Sequence, residues 1–255
     1  MTLEIGNKIN KLLVEGTHNG LYFSSWLAAH GYSPQLMLQY QKTGWFTMLN
    51  RGIYYRSGEQ PTAYAAVASS VRQTDVNLRF AAHSALELQG IMHFVPMGKP
   101  RAMVTTSKRH KLNWLQSDIF DRTFTYFQTP QLAQADTEFV PYGELQLPVS
   151  PQELAVLECL FLAPKHYSYL DVYMLLEQMS GLRPNVVQSL LENTTSQRVK
   201  RLFLYMAEKS QYDWFQSIDV SKIDLGGSVL QLTEQNGSFI SKYNMVVPTE
   251  LKEYE

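Results

Sequence analysis

The stretch LYFSSWLAAHGYSPQLMLQYQKTGWFTMLNRGIYYRSG, residues 21–58 of the 255-residue chain, decides the fold. It predicts two short helices joined by a tight corner and followed by a β-hairpin. At the corner, Gly31 can adopt the positive φ angle that ends the helix near His30. Ser33 can cap the next helix, and Pro34 suits its first position, where the missing N–H costs no hydrogen bond. This order of elements is the plan of a winged helix-turn-helix.

The hairpin begins after Gly44, which ends the second helix. Two extended runs, Trp45–Leu49 and Ile53–Arg56, flank Asn50-Arg51-Gly52, where Asn and Gly tolerate the backbone angles of a hairpin loop. Upstream, residues 3–14 predict an amphipathic helix because four apolar residues share one face. These are Ile5, Ile9, Leu12 and Leu13. The result is a three-helix module with a basic wing.

The second helix of such a module is narrow enough to enter the major groove of DNA. If Leu36, Met37 and Tyr40 face the core, helical spacing turns the polar side chains outward. There glutamine can pair with adenine, and lysine with guanine or phosphate. The predicted DNA-binding residues, including the wing cations, are Ser33, Gln35, Gln39, Lys42, Asn50, Arg51 and Arg56. The alternative is a protein-interaction scaffold, in which the same surface contacts protein.

Charge is distributed unevenly along the chain, whose formal net charge is −1. Residues 1–58 carry five Lys and Arg against two acidic residues, whereas residues 148–255 carry nine against thirteen. A basic N-terminal part followed by an acidic C-terminal part fits a DNA-binding domain joined to a domain that binds another partner. A homodimer on DNA would double the electrostatic attraction between protein and DNA. We therefore predict a winged helix-turn-helix domain at residues 1–58 and a larger C-terminal domain at residues 59–255.

The C-terminal domain is predicted to be mixed α/β over residues 59–147 and mainly helical over residues 148–255, which makes the fold class α+β with a helical bundle. In the mixed part we expect helices at 63–71 and 79–89 and strands at 91–95, 102–106 and 123–127. In the bundle we expect helices at 151–162, 168–179, 183–192 and 196–209. An Asn236-Gly237 turn predicts a terminal hairpin.

The sequence contains no run of about 18 apolar residues that would span a bilayer, and its start lacks a secretory pattern. We therefore expect a cytoplasmic protein with no membrane partner. Cys159 is the single cysteine. An internal disulfide is thereby excluded, and its apolar helical setting predicts a buried thiol.

Histidine spacing argues against a metal site, because none of the six histidines pairs at helical spacing and no further cysteines accompany them. His83 and His93 flank a short helix and could converge, although lone histidines near apolar segments are more often structural. A glycine-rich phosphate loop, a nucleophile elbow and a kinase signature are all missing. We therefore expect a protein with no catalytic residues, no metal and no cofactor.

Several spaced blocks of sequence carry a family resemblance. In the first part they are LQYQKTGW at 38–45, RGIY at 51–54 and ALELQG at 85–90, with His93 after them. In the second part they are RP at 183–184, LLE at 190–192, VKRLFLYMAE at 199–208, WF at 214–215, DLG at 224–226 and YNMVVP at 243–248. On these blocks the chain resembles the AbiEi family, antitoxins of type IV toxin-antitoxin systems, over nearly its whole length.

The resemblance implies a non-enzymatic protein with two functions. Its N-terminal winged helix-turn-helix would bind operator DNA and repress its own operon, and its C-terminal domain would counteract a toxin. The toxin would be a nucleotidyltransferase-like protein encoded by the adjacent gene, in an abortive infection system of phage defence. In such a system the antitoxin opposes the toxin's action, and a stable complex between the two is not required.

The chain departs from the family pattern after Gly226, where Gly227-Ser228-Val229-Leu230 stands in place of a small residue followed by Lys and Arg. If that basic turn serves the antitoxin function, its absence either removes that function from this chain or moves it to Arg198, Lys200 and Arg201. The run around Lys108, Arg109 and Lys111 is the densest positive patch, and it could extend the DNA footprint, bind toxin or RNA, or form a solvated loop. A second basic surface is thus predicted at Lys108, Arg109, Lys111, Arg198, Lys200 and Arg201.

Overall fold

The structure is a computed structural model that describes residues 2–92 and 98–254, with side chains from residue 8 onward. The chain forms two compact units, each built from separated stretches. The first comprises Met1–Phe80, Pro96–Gln128 and Phe139–Val149. The second comprises Ala81–Val95, Thr129–Glu138 and Ser150–Glu255. Neither unit begins or ends at the predicted boundary, residue 58.

A winged helix forms the start of the first unit, as predicted. Its elements in chain order are α1 (Thr2–Glu15), β1 (Tyr22–Phe23), α2 (Ser24–Ala29), α3 (Pro34–Lys42), β2 (Phe46–Asn50) and β3 (Ile53–Arg56). The three strands form an antiparallel sheet in the order β1-β3-β2. The strand β1 was not predicted, since two residues are too few to show an alternating pattern.

The core of the winged helix joins all three helices to the sheet. Tyr22 and Phe46 meet edge to face, with ring centroids 5.0 Å apart. The buried members of this core are Ile9, Leu12, Tyr22, Leu27, Tyr32, Met37, Tyr40 and Phe46. Burial, together with the nearby Glu59 carboxylate, raises the pKa of the Tyr22 hydroxyl to about 12. The core therefore fixes which face of each helix meets solvent.

The first unit continues with α4 (Ala63–Gln73), which is hydrogen-bonded to the winged helix. The Gln73 side chain accepts from the Phe23 N–H at 2.9 Å and donates to the Leu21 carbonyl at 2.9 Å. These bonds satisfy buried backbone groups beside β1. They explain why the compact unit extends beyond residue 58.

A five-stranded sheet completes the first unit, with the order β6-β5-β4-β8-β7. Its strands are β4 (Arg79–Phe80), β5 (Arg101–Thr105), β6 (Thr123–Phe127), β7 (Glu138–Tyr142) and β8 (Leu145–Val149). The predicted helix over 79–89 is wrong at its start, because residues 79–80 join this sheet and only α5 (Ala82–Leu88) is helical. Most of the predicted strand at 91–95, including His93, lies outside the described residues.

The second unit is mainly helical, as predicted. Besides α5, its helices are α6 (Gln152–Leu162), α7 (Tyr169–Leu176), α8 (Pro184–Asn193), α9 (Gln197–Lys209) and α10 (Thr249–Glu253). The α6 helix packs against α7, α8 and α9. No helix in the described part of the chain is long and apolar enough to cross a bilayer.

The C-terminal strands differ from the predicted hairpin. They are β9 (Leu230–Gln231), β10 (Gly237–Ile240) and β11 (Met245–Pro248). Here β10 and β11 form the hairpin, and β9 pairs with β11 in parallel. The chain does reverse at the predicted Asn236-Gly237 turn, where Asn236 has a φ of 49°, but the strands on either side of it, β9 and β10, do not pair with each other. The hairpin forms at the next reversal, through Asn244, which has a φ of 47°.

An ion pair joins the start of α8 to α6. The Arg183 guanidinium donates to both carboxylate oxygens of buried Glu153, at 2.8 and 2.7 Å, and to Glu138 at 2.9 Å. Burial alone would raise the pKa of Glu153, but hydrogen bonds from the Arg183 side chain and backbone outweigh it and lower that pKa. The Arg-Pro block of the family resemblance thus has a structural role here.

Candidate nucleic-acid interface

The position of α3 is set by residues at both of its ends. Gly31 has a φ of 82°, which L side chains rarely adopt. At the helix start the Ser33 hydroxyl accepts from the Leu36 N–H at 3.2 Å, and Pro34 occupies the first turn. At the other end, Lys42 lies in the last turn, where a cation is favoured by the helix dipole.

The inward face of α3 carries Met37 and Tyr40, both buried in the winged-helix core. Burial raises the pKa of Tyr40, and its hydroxyl has no hydrogen-bond partner among the described residues. An unsatisfied buried hydroxyl is costly, so the apolar packing around the ring must outweigh it. This packing fixes the rotation of α3 about its axis.

The outward face of α3 exposes Gln35, Gln39 and Lys42, the three residues predicted to face outward. At about 100° per residue, Gln35 and Lys42 occupy the centre of this face, and Leu38 and Gln39 lie on either side of it at about equal angles. The Leu38 side chain is 52% exposed. Sequence analysis missed Leu38, although its spacing of three from Gln35 and four from Lys42 was a sufficient signal.

The wing is a tight hairpin whose loop contains Arg51 and Gly52. Gly52 has a φ of 78°, and a Cβ atom there would lie 2.7 Å from the Ser24 hydroxyl. Asn50, predicted in the loop, is instead the last residue of β2, paired with Ile53 and half-buried. The wing therefore presents Arg51, which is exposed at the tip.

The cations of the winged helix differ in how they are paired. Arg56 donates to Glu59 at 3.2 Å, and Glu59 also contacts His18 at 3.0 Å. Within the described residues, neither Lys42 nor Arg51 forms an ion pair. Among the cations predicted to bind DNA, the charges of Lys42 and Arg51 are therefore available to an external anion, and Arg56 is partly neutralised by Glu59.

The run at 108–111 belongs to the first unit, after β5. Lys108, Arg109 and Lys111 are all exposed, as a second basic surface requires. The Tyr126 hydroxyl accepts from the His110 N–H at 3.0 Å, which holds the backbone of the run against β6. The segment is thus an anchored basic loop.

The basic surface predicted at Arg198, Lys200 and Arg201 is wrong for two of its three residues. Lys200 is 3% exposed and Arg201 is 1% exposed. Burial lowers the pKa of the Lys200 ammonium, which donates to the Asp224 carbonyl at 3.1 Å. The half-buried Arg198 donates to the Ala163 and Phe161 carbonyls, the latter at 2.8 Å. These cations satisfy backbone oxygens and present little charge to a partner.

Arg201 organises the loop that follows Asp224. Its guanidinium donates to four backbone carbonyls, at distances of 2.7 to 2.9 Å. The acceptors are the carbonyls of Leu225, Gly226, Ser228 and Asn244. The turn at residues 225–228 is therefore held by a buried guanidinium.

The histidine and cysteine side chains that were candidates for catalysis or metal binding make structural contacts. His83 shares a hydrogen bond with the Tyr167 hydroxyl at 2.7 Å, and His93, its suggested partner, lies outside the described residues. Cys159 is buried as predicted, and burial raises the pKa of its thiol. No group of His, Cys, Asp and Glu residues suited to a metal ion occurs in the part of the chain that the structure describes.

Two family models match consecutive parts of the chain. Residues 6–97 match the model described as "Transcriptional regulator, AbiEi antitoxin N-terminal domain". Residues 100–248 match "Transcriptional regulator, AbiEi antitoxin, Type IV TA system". Both agree with the resemblance seen in the sequence.

Among solved structures, the crystal structure of the RV2827C protein from Mycobacterium tuberculosis is similar to this chain. The TM-score is 0.57, with 13% sequence identity, over 89% of this chain and 85% of that chain. At this identity the likeness concerns the fold alone. No curated protein matches the chain.

We expect Arg201→Met to lower the free energy of unfolding by about 3–5 kcal/mol, because four backbone carbonyls lose their hydrogen bonds to the buried guanidinium while the apolar stem is kept. Urea unfolding followed by circular dichroism measures the change. Arg198→Met, at a more exposed site, is the control and should cost less than half as much. A loss below about 1 kcal/mol for Arg201→Met would contradict the structural role of the guanidinium.

Proposed function

Because the chain belongs to the AbiEi family of type IV antitoxin transcriptional regulators, we propose that it binds operator DNA through α3 and the wing and represses its own operon. The observation that carries this proposal is the exposed face of α3. There Gln35 and Lys42 point away from a core that buries Met37 and Tyr40. A helix with this orientation suits the major groove.

The proposed contacts divide into base recognition and phosphate binding. Gln35 and Gln39 offer amides to adenine, and Lys42 offers an ammonium to guanine or phosphate. Leu38, between them, suits the methyl group of thymine. Arg51 at the wing tip suits phosphate, and the cap formed by Ser33 positions the helix start against the DNA backbone. Arg56 contributes less, because Glu59 already pairs with it.

We further propose that the second unit antagonises a nucleotidyltransferase-like toxin encoded beside this chain, in the cytoplasm, as part of phage defence. Membership of a type IV antitoxin family supports this part. The buried state of Lys200 and Arg201 argues against charge-mediated contact by those two residues. A stable complex between antitoxin and toxin is not required by the proposal.

The exposed apolar side chains beside α3 favour one alternative. Leu38, Trp45 and Met48 are 52%, 44% and 51% exposed. A surface that combines these with polar residues could bind a protein. Salt dependence separates the two functions, because phosphate contacts release counterions and protein contacts of this type do not.

We expect Gln35→Ala combined with Lys42→Ala to weaken operator binding by about 2–6 kcal/mol, since each good base contact contributes about 1–3 kcal/mol. Fluorescence anisotropy with a duplex selected from a random library measures the affinity. Lys165→Ala, an exposed cation of the second unit, is the control. Unchanged preference for the selected duplex over a scrambled one, or binding insensitive to salt, would contradict the proposal.

Leu38 is tested by replacing thymine with uracil in the selected duplex, which removes only methyl groups. Wild-type protein should bind the uracil duplex about fourfold more weakly for each contacted methyl, as expected from about 0.8 kcal/mol for a buried carbon. Leu38→Ala should bind both duplexes equally. Equal binding of both duplexes by the wild-type protein would exclude a methyl contact at α3.

The antitoxin part is tested by co-expression with the neighbouring toxin in a growth assay. The wild-type chain should restore growth, and so should the Gln35→Ala, Lys42→Ala variant, because its defect lies in DNA recognition by the first unit. Toxin expression is driven from an independent promoter, so repression cannot account for the rescue. Failure of the wild-type chain to restore growth would refute toxin antagonism.

A further inference from the structure

A groove of about 730 Å³ lies on the first unit, outside the winged helix. Its lining includes three permanent cations, Lys99, Arg109 and Lys111, together with His110 and one acidic residue, Asp118. Lys99, Arg109 and Lys111 are exposed. An anionic ligand is therefore favoured by the charge of the groove.

The groove is built on a packed base rather than on a loose loop. Trp114, in a short 3₁₀ helix at Asn113–Gln116, is buried, and its ring meets Phe23, Phe120 and Phe124 edge to face. The Tyr126 hydroxyl hydrogen-bonds with Thr106 at 2.7 Å, besides accepting from the His110 N–H. The backbone that carries Arg109 and Lys111 is thus held in place before any ligand arrives, which reduces the entropic cost of binding.

The groove lies next to the wing. The edge strand β2 contacts both α3 and the 3₁₀ helix at Asn113–Gln116. The helix α3, which carries Lys42, and the 3₁₀ helix that follows Lys111 therefore contact the same strand.

Aromatic groups in the groove favour a duplex over a single strand. Single-stranded nucleic acids are held by exposed rings on which bases stack. Here the ring of Phe124 packs against Trp114 and Phe120, and the hydroxyl of Tyr126 is engaged with Thr106 and the His110 backbone. What remains for a ligand is a set of cations suited to a phosphodiester backbone.

We propose that this groove is a second phosphate-binding surface, which holds operator duplex beyond the base pairs recognised by α3. The proposal rests on the proposed DNA-binding function and adds a site to it. Arg109 and Lys111 bind phosphates of the flanking duplex, and Lys99 supports them electrostatically while donating to the Asp118 carbonyl at 3.0 Å. These contacts increase affinity without reading sequence.

The test compares two lengths of the selected duplex, one limited to the recognised base pairs and one extended by about ten base pairs on each side. Anisotropy titrations over a range of salt concentrations give the affinity and its salt slope. For Arg109→Gln with Lys111→Gln, we expect about tenfold weaker binding of the long duplex and a slope smaller by about 2, since two phosphates are released. Binding of the short duplex and sequence preference should not change.

The matched control removes two exposed lysines from the second unit, Lys165→Gln with Lys252→Gln, and should leave both quantities unchanged. Circular dichroism and urea unfolding verify that each variant is folded.

The possible outcomes separate this proposal from the proposed function. If the chain prefers the selected sequence but the groove variant binds the long duplex with the same affinity as the wild type, the groove proposal alone is refuted. If the wild-type chain shows no sequence preference for DNA, the proposed function fails with it. The proposal would also be overturned if replacing Arg109 and Lys111 weakened the binding of single-stranded RNA more than the binding of duplex DNA.

Discussion

Burial of Met37 and Tyr40 against the sheet and α1 is the constraint on which the rest of the account depends. Once these two side chains are buried, the 3.6-residue period of the helix determines which of its residues face solvent. Gln35, Leu38 and Lys42 must lie together on the opposite face. A short helix of nine residues can be held this firmly because a glycine corner and a serine cap fix its start and the strand β2 follows directly after its end.

The position of a cation in the sequence is a poor guide to its electrostatic role in this chain. Arg109 and Lys111 lie on a surface, whereas Lys200 and Arg201 lie inside and bind backbone carbonyls. A buried cation is costly unless its donors are satisfied, and here the loop after Asp224 supplies the acceptors. Lys200 and Arg201 therefore stabilise this loop and present little charge to a partner.

Local signals in the sequence predicted the winged helix, most helices of the second unit and the exposed residues of α3, because caps, glycine corners and helical periodicity act over a few residues. Features that depend on distant pairing were not predictable. The parallel pairing of β9 with β11, the sheet that joins β4 to β8, and the placement of Arg201 all bring together residues far apart in sequence. Leu38 is different, since its spacing was visible and its apolar character alone led to its omission.

The most direct measurement of the central claim is amide chemical-shift mapping by NMR while the full chain is titrated with the selected duplex. If α3 and the wing contact DNA, the largest changes should fall on residues 33–42 and 51–52, in the described part of the first unit. Changes confined to the second unit, or absent from residues 33–42 at saturating DNA, would contradict the account.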